Sequence, residues 1–378
     1  MKILNRDLTN LIEEWLFRDK IIILYGARQV GKTTLVKGLL EKYGAQEGYY
    51  NCELLQVKQL LERQDTAELA RVFKGTRFVV LDEAQKVANI GLILKVIHDT
   101  YPEIQILATG SSSFTLSSQI QEPLTGRALE FILYPFSYAE MRQLYRPIDL
   151  SAQIPAFVRF GLYPEIVGKN ESDTIVLLNN LTSKYLYRDV FEFEAIKKPG
   201  LIVHLLQSLA LQVGNEVSHH ELSNLLNVHV KTVQRYLDLL EKAFVLFRLK
   251  PLSRNLRTEI TKKEKIYFYD LGIRNSLINQ FNPLDFRDDT GALWENFCIM
   301  ERLKYLQNHK KFRRVDFWRT HDQKEIDYVE EENGKWFGYE FKWNPKAKGK
   351  NTSKFQNEYD ASVEIIHQHN VDSFLLSD

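Results

Sequence analysis

The chain has 378 residues, with 50 Lys and Arg against 49 Asp and Glu and only two cysteines. Its length exceeds what one hydrophobic core usually supports, so several domains are expected. The near-zero net charge excludes bulk electrostatics as a route to nucleic acid, which would need local clusters of cations.

Cys52 and Cys298 are too few and too far apart for a disulfide framework or a cysteine metal site, a usage that fits a reducing, cytoplasmic setting. The first residues, MKILNRDLTNLIEEWLFRDK, carry charge throughout, unlike a signal peptide, and no apolar run elsewhere is long enough to span a bilayer. No membrane partner is expected. Residues 8–17 predict a short helix, and IIILY (21–25) predicts a buried parallel strand.

The nine residues after that strand are Gly26, Ala27, Arg28, Gln29, Val30, Gly31, Lys32, Thr33 and Thr34. They fit G-x-x-x-x-G-K-[ST] at a turn from strand into helix, where the motif has a mechanism. The glycines let backbone N–H groups close around the phosphates of ATP, Lys32 would reach the β and γ oxygens, and the Thr33 hydroxyl would bind Mg²⁺. FVVLDE (78–83) predicts a second buried strand ending in Asp82, placed to hold Mg²⁺ through water, and Glu83, placed to polarise the attacking water.

ILKVIHDTY predicts a helix, and IQILATG (104–110) a third strand whose tip, ATGSSSF, would set Ser111 or Ser112 beside the γ-phosphate. Arg127 in LTGRALEF would stabilise charge on the transferring phosphoryl group, in the same subunit or across an interface. Strands alternating with helices predict a three-layer α/β domain.

Beyond PFSYAEM (135–141) the pattern becomes helical, with LLNNLTSKYLYRDVFEFEAI (177–196) the clearest amphipathic stretch, read as a lid or linker. From about 200 to 280, three helical segments precede two strand-like ones, FVLFRLK (244–250) and KIYFYDL (265–271), which is a winged-helix order. Val233, Leu237 and Leu240 form a core stripe, and the opposite face presents Lys231, Thr232, Gln234 and Arg235, residue types suited to base edges and phosphates. Arg248, Lys250, Arg254, Arg257, Lys262, Lys263 and Lys265 face only Glu259 and Glu264 in sequence. Such a wing would track a DNA backbone, or serve as a solvated loop for protein contacts.

The block from Gly291 predicts a helix, three strands, a helix and a closing strand. Asp327 lies on one strand, and Glu340 and Lys342 share a face of the next. Two carboxylates would bind Mg²⁺, with the lysine positioning a water for attack on a phosphodiester, and Glu295 on the preceding helix would add a third acid. Surface strands also alternate Glu and Lys for solubility, which is the competing reading. His219, His220, His229 and His321 have no metal-ligand spacing with the cysteines.

GARQVGKTTL, FVVLDEAQ, ILATGSSSF, LTGRALEF and YPFSYAEM, followed by LYPEIV and YLYRDV, resemble the bacterial and archaeal AAA+-type ATP-binding proteins with a winged-helix and nuclease-like C-terminal half. The resemblance covers nearly the whole chain. It implies nucleotide chemistry at Lys32, Asp82, Glu83, Ser111 or Ser112, and Arg127, and a homo-oligomer or ring in which Arg127 reaches a neighbour's nucleotide. The D…E-x-K segment resembles the PD-(D/E)XK nuclease fold.

The expected fold is a multidomain α/β chain: a P-loop AAA+-like three-layer ATPase domain at 1–140, a helical lid at 141–199, a winged helix at 200–284 and a restriction-endonuclease-like α/β domain at 285–378. The expected function is Mg²⁺-dependent ATP hydrolysis coupled to handling of duplex or branched DNA, with an Mg²⁺-dependent nuclease centre. Two other readings fit the same motifs: a signalling or defence switch with a protein-binding C-terminal half, and a winged-helix transcription regulator.

Overall fold

The computed structural model describes residues 4–111, 120, 123–186, 199–252, 264–320, 324–350 and 352–376. Two compact units emerge, the first from Met1–Pro135 with Lys242–Phe244, the second from most of the remaining chain.

The first unit is built on a five-stranded sheet, β1 (Ile21–Tyr25), β2 (Tyr49–Asn51), β3 (Phe78–Asp82), β4 (Gln105–Gly110) and β5 (Ala128–Ile132), in the order β2-β3-β4-β1-β5. Every pairing is parallel, so all five strands end at one edge. Strands β1, β3 and β4 are buried at every position, which is why they read as unbroken apolar runs instead of alternating ones. Helix Lys32–Lys42 buries Leu35, Val36, Leu39 and Leu40, and helix Ile90–Thr100 buries Ile90, Ile93, Leu94 and Ile97. Both sets have the three-and-four spacing of a single helical face.

In the second unit, β6 (Glu216–Val217), β7 (Leu246–Leu249) and β8 (Glu264–Phe268) form an antiparallel sheet ordered β6-β8-β7. A second sheet, ordered β12-β11-β10-β9, contains β9 (Arg314–Arg319), β10 (Glu325–Glu332), β11 (Lys335–Phe341) and β12 (Ser362–Ile366). Its β9, β10 and β11 are antiparallel, and β12 joins β11 in parallel.

Most of the segments expected as lid, winged helix and C-terminal domain fall within this one unit, joined by polar bonds. Asn275 donates to the Val158 and Arg159 carbonyls at 3.2 and 2.8 Å, and the Asp270 carboxylate accepts from the Leu162 amide at 2.7 Å. Gly272 runs so close to Phe160 that a Cβ there would lie 2.0 Å from the Phe160 carbonyl oxygen. Helix Thr290–Asn308 is tied to β8 by Asn296, whose amide accepts from the Phe268 N–H and donates to the Phe268 carbonyl, both at 2.8 Å. One side chain thus does for β8 what a neighbouring strand would do.

Replacing Asn296 by leucine leaves both Phe268 backbone groups buried without partners. At about 1–3 kcal/mol for each unsatisfied group, Asn296→Leu should clearly lower the urea midpoint of the full chain. An unchanged midpoint would contradict this account of the join.

Candidate nucleotide site and a carboxylate–lysine centre

The loop between β1 and helix Lys32–Lys42 is shaped by two glycines. Gly26 has φ +152°, and a Cβ there would sit 2.2 Å from the Leu133 carbonyl oxygen; Gly31 has φ +100° and caps the helix. The loop is therefore held against the end of β5 with no room for a side chain at Gly26. The N–H groups of the helix start, and its dipole, suit an anion. Lys32 is buried, and its ammonium donates to the carbonyls of Gly26 and Ala27 at 2.7 and 2.9 Å, turning back over the loop. Thr34 faces solvent on the helix.

Arg6 braces this loop from the start of the first helix. Its guanidinium donates to the carbonyls of Val30 at 2.8 Å and Tyr134 at 2.7 Å. Nothing in the local sequence marks Arg6 for that task, because its two partners are far along the chain.

The buried Asp82 carboxylate lies at the end of β3 and accepts three hydroxyl donors. Thr33 and Tyr49 donate to one oxygen at 2.8 and 2.6 Å, and Thr109 donates to the other. Burial and the bond to Asp82 push the Tyr49 phenol well above its usual range. Burial, with Asp82 and Glu83 nearby, pushes the Cys52 thiol up to about 12, which removes it as a nucleophile. Hydroxyl and carboxylate oxygens are the hard donors Mg²⁺ prefers, so Thr33 and Asp82 suit that ion.

Glu83 follows in a left-handed conformation, φ +56°, that is costly for a residue with a side chain. Its N–H donates to the Thr109 hydroxyl at 3.0 Å, which ties the strained backbone to β4. Gln85 donates to the Glu83 carboxylate at 2.6 Å and to the Ser111 hydroxyl at 3.1 Å, joining the two candidate residues in one network. Tyr49, Gln85 and Thr109 carry this geometry, although sequence reading gave none of them a role. Gln85 and Thr109 do lie inside the stretches FVVLDEAQ and ILATGSSSF. Ser112 lies outside the described residues.

Arg127 is not part of this group. It precedes β5 at the edge where the strands begin, its carbonyl accepting from the Ile21 N–H, and its guanidinium pairs with Asp99 at 3.0 Å. A strand of that length separates it from its own phosphate loop by about 15 Å.

In the second unit, Lys231, Gln234 and Arg235 are exposed on helix Val230–Lys242, Thr232 is half-buried, and Lys250 is exposed. The basic wing read from sequence needs correction. Arg248 turns inward to Asp238 at 2.8 Å and to Glu241, and Lys265 is buried on β8. A run of cations in sequence does not say which way each one points. Arg254, Arg257, Lys262 and Lys263 lie outside the described residues.

The D…E-x-K residues meet on the four-stranded sheet. Antiparallel pairing of Tyr328 with Tyr339 puts Asp327 opposite Glu340, and Lys342 approaches Glu340 at 3.6 Å. Lys265, read from sequence as a wing cation, and Lys350 and Glu325, which sequence reading gave no role, complete the cluster. Lys265 bridges Glu295 at 2.9 Å and Glu325 at 2.6 Å, while Lys350 bridges Asp327 at 3.2 Å and Glu325 at 3.4 Å. Tyr267 also donates to Glu295 at 2.6 Å.

Burial pushes the Glu295 carboxyl up, against the pull of Lys265. Burial also acts to raise Glu325, but Lys265 and Lys350 overcome it and hold that carboxyl below its usual range. Among the described residues no group of three or more His, Cys, Asp or Glu is disposed to hold a metal ion. Each member of the expected trio is instead paired with an ammonium group, Asp327 with Lys350, Glu340 with Lys342 and Glu295 with Lys265.

Comparison with known proteins finds three family models that match successive parts of the chain. A family model described as an AAA domain matches residues 18–142, and models of two domains of unknown function, DUF8612 and DUF4143, match residues 152–284 and 290–372. The uncharacterized protein Rv2008c of Mycobacterium tuberculosis is 27% identical over 347 residues, covering 90% of this chain and 74% of that protein. The uncharacterized protein MJ1544 of Methanocaldococcus jannaschii is 28% identical over 356 residues, covering 87% and 77%.

Among solved structures, Pif1 helicase from Candida albicans aligns with a TM-score of 0.28 at 12% identity over 48% of each chain. Drosophila ORC bound to AT-rich DNA and Cdc6 aligns with a TM-score of 0.27 at 13% identity, over 72% of this chain and 90% of that one. Likenesses at these scores carry no argument about activity. The N-terminal segment is thus similar to AAA domains, and among the described residues no helix is long and apolar enough to cross a membrane.

The closeness of Gly26 to Leu133 gives a direct test. Gly26→Ala must displace the loop or β5, so the variant should melt at a lower temperature and bind ATP at least about ten-fold more weakly, about 1.4 kcal/mol. Wild-type melting and binding together would show that the loop is not held as described.

Proposed function

We propose that this protein hydrolyses ATP with Mg²⁺ in its N-terminal unit, and that its second unit holds duplex or branched DNA whose binding alters turnover. The observation that carries the first part is the Asp82 carboxylate at the strand-end edge, bonded to the Thr33 hydroxyl that opens the phosphate-loop helix. When ATP binds, Lys32 exchanges the Gly26 and Ala27 carbonyls for β and γ oxygens, and Ala27, Arg28, Gln29 and Val30 offer the enclosing backbone.

Thr33 and Asp82 would hold Mg²⁺, which would neutralise charge on the phosphates. Glu83 orients the attacking water, and Gln85 passes the state of the γ-phosphate between Ser111 and Glu83. Arg127 sits too far from its own loop to serve it, which supports action on a neighbour's nucleotide in a homo-oligomer.

For DNA, the exposed Lys231, Gln234 and Arg235, with Thr232 and Lys250, supply groups for phosphates and base edges, and Arg254 and Arg257 of the sequence add two further cations. Asp327, Glu340 and Lys342 are the residues a phosphodiester would meet. A nucleotide-gated switch with a protein-binding second unit is the competing reading. It is favoured by the inward pairing of Arg248 and Lys265, which takes two cations from the expected DNA surface.

Turnover measured in Mg²⁺ alone, then with single strands, duplex and a four-way junction, separates these readings. Lys32→Ala should lower turnover at least about 100-fold, since it removes the cation from the transferring phosphoryl group. Stimulation by one DNA form, falling steeply with salt, is expected. Turnover indifferent to every form would overturn the DNA part and leave the switch.

Gln85→Leu should reduce kcat at least about ten-fold while changing KM little, because it frees Glu83 without touching the loop. An unchanged kcat would remove Gln85 from the mechanism.

A further inference from the structure

The four carboxylates of the second unit, Glu295, Glu325, Asp327 and Glu340, are opposed by three ammonium groups, Lys265, Lys342 and Lys350. These cations differ in how firmly they are placed. Lys265 is fixed on β8 with its side chain 3% exposed, whereas Lys350 is 42% exposed and belongs to the segment that follows β11. Lys350 is held at both ends. Its N–H donates to one Glu340 oxygen at 2.9 Å, and its ammonium bridges Asp327 and Glu325.

Among the described residues the other, buried Glu340 oxygen has no hydrogen-bond partner, and Glu340 is 0% exposed. An unpartnered carboxylate oxygen at such a depth is costly, and its residue stands opposite Asp327 in the strand register. Lifting Lys350 out would leave four carboxylates against two ammonium groups, a deficit that one divalent cation matches. The ligands would all be oxygens, the preference of Mg²⁺ and Mn²⁺.

We propose that the segment from Lys342 to Lys350 is a latch whose Lys350 ammonium occupies a divalent-cation position formed by Asp327, Glu340 and Glu325, so that the ion and the lysine compete for one place. In the latched state the centre holds no metal, and displacement of Lys350 creates the site. Nothing in this depends on the nucleotide site, and its readout uses no nucleotide, so its failure is separate from failure of the ATPase reading.

The test is binding of Mn²⁺ alone to the nucleotide-free full chain, followed by the EPR signal of the free ion. Lys350→Ala and Lys350→Met, the second keeping the aliphatic stem, should each bind one Mn²⁺ at least about ten-fold more tightly than the wild type. Lys350→Arg, which keeps the cation, should behave as wild type. Adding Glu340→Gln to Lys350→Ala should erase the gain.

Folded Lys350→Ala and Lys350→Met chains with no gain would overturn the proposal, as would a gain that survives Glu340→Gln. Hydrogen exchange at the Lys350 amide gives an independent reading on the unmodified chain. Saturating Mn²⁺ should accelerate it by releasing the bond to Glu340, and an unchanged rate would contradict a latch.

Discussion

The Asp82 carboxylate is the constraint around which the N-terminal unit is organised. It lies on β3, and its hydroxyl donors come from β2 on one side, β4 on the other, and the helix that leaves β1. A buried carboxylate is tolerable only when its lone pairs are met, so satisfying Asp82 fixes the positions of four elements at the strand-end edge. That edge also receives the phosphate loop, because parallel strands all end on the same side. The loop's own shape is set from outside by Leu133 against Gly26 and by Arg6 against Val30. Asp82 therefore links loop position, strand register and the strained Glu83 that follows it.

The second unit follows a different rule. Its buried polar groups pair across segments distant in sequence, as with Asn296 on Phe268, Asp270 on Leu162 and Lys265 on Glu295 and Glu325. Breaking one member of such a pair leaves an uncompensated group in the interior. This cost binds segments that look separable in sequence into one compact unit. The carboxylate–lysine centre is one such network, with Lys350 the most exposed of its three cations.

Local chemistry was readable from sequence, and distant chemistry was not. The turn GARQVGKTT and the strand end at Asp82-Glu83 are contiguous and bounded by apolar strands, so residue type and spacing place them together. Tyr49 meets Asp82 from 33 positions away and Arg6 meets Tyr134 from 128, and no periodicity encodes either meeting. Lys265 and Arg248 were misread for a related reason. A list of basic residues has no direction, and β8 turns Lys265 inward toward Glu295 and Glu325. The division into lid, winged helix and C-terminal domain followed composition and element order, whereas the compact unit follows bonds such as Asn275 to Val158 that sequence does not show.

The central claim is that Asp82, through Thr33, organises Mg²⁺ for chemistry on a nucleotide already gripped by the loop. Replacing Asp82 with asparagine keeps its size and one acceptor oxygen, turns the other oxygen into an NH2 donor and removes the charge. ATP binding and Mg²⁺-dependent turnover of the Asp82→Asn chain, measured together, test it most directly. The account predicts ATP affinity within about three-fold of wild type and turnover reduced at least about 100-fold. Turnover close to wild type, with folding intact, would contradict it.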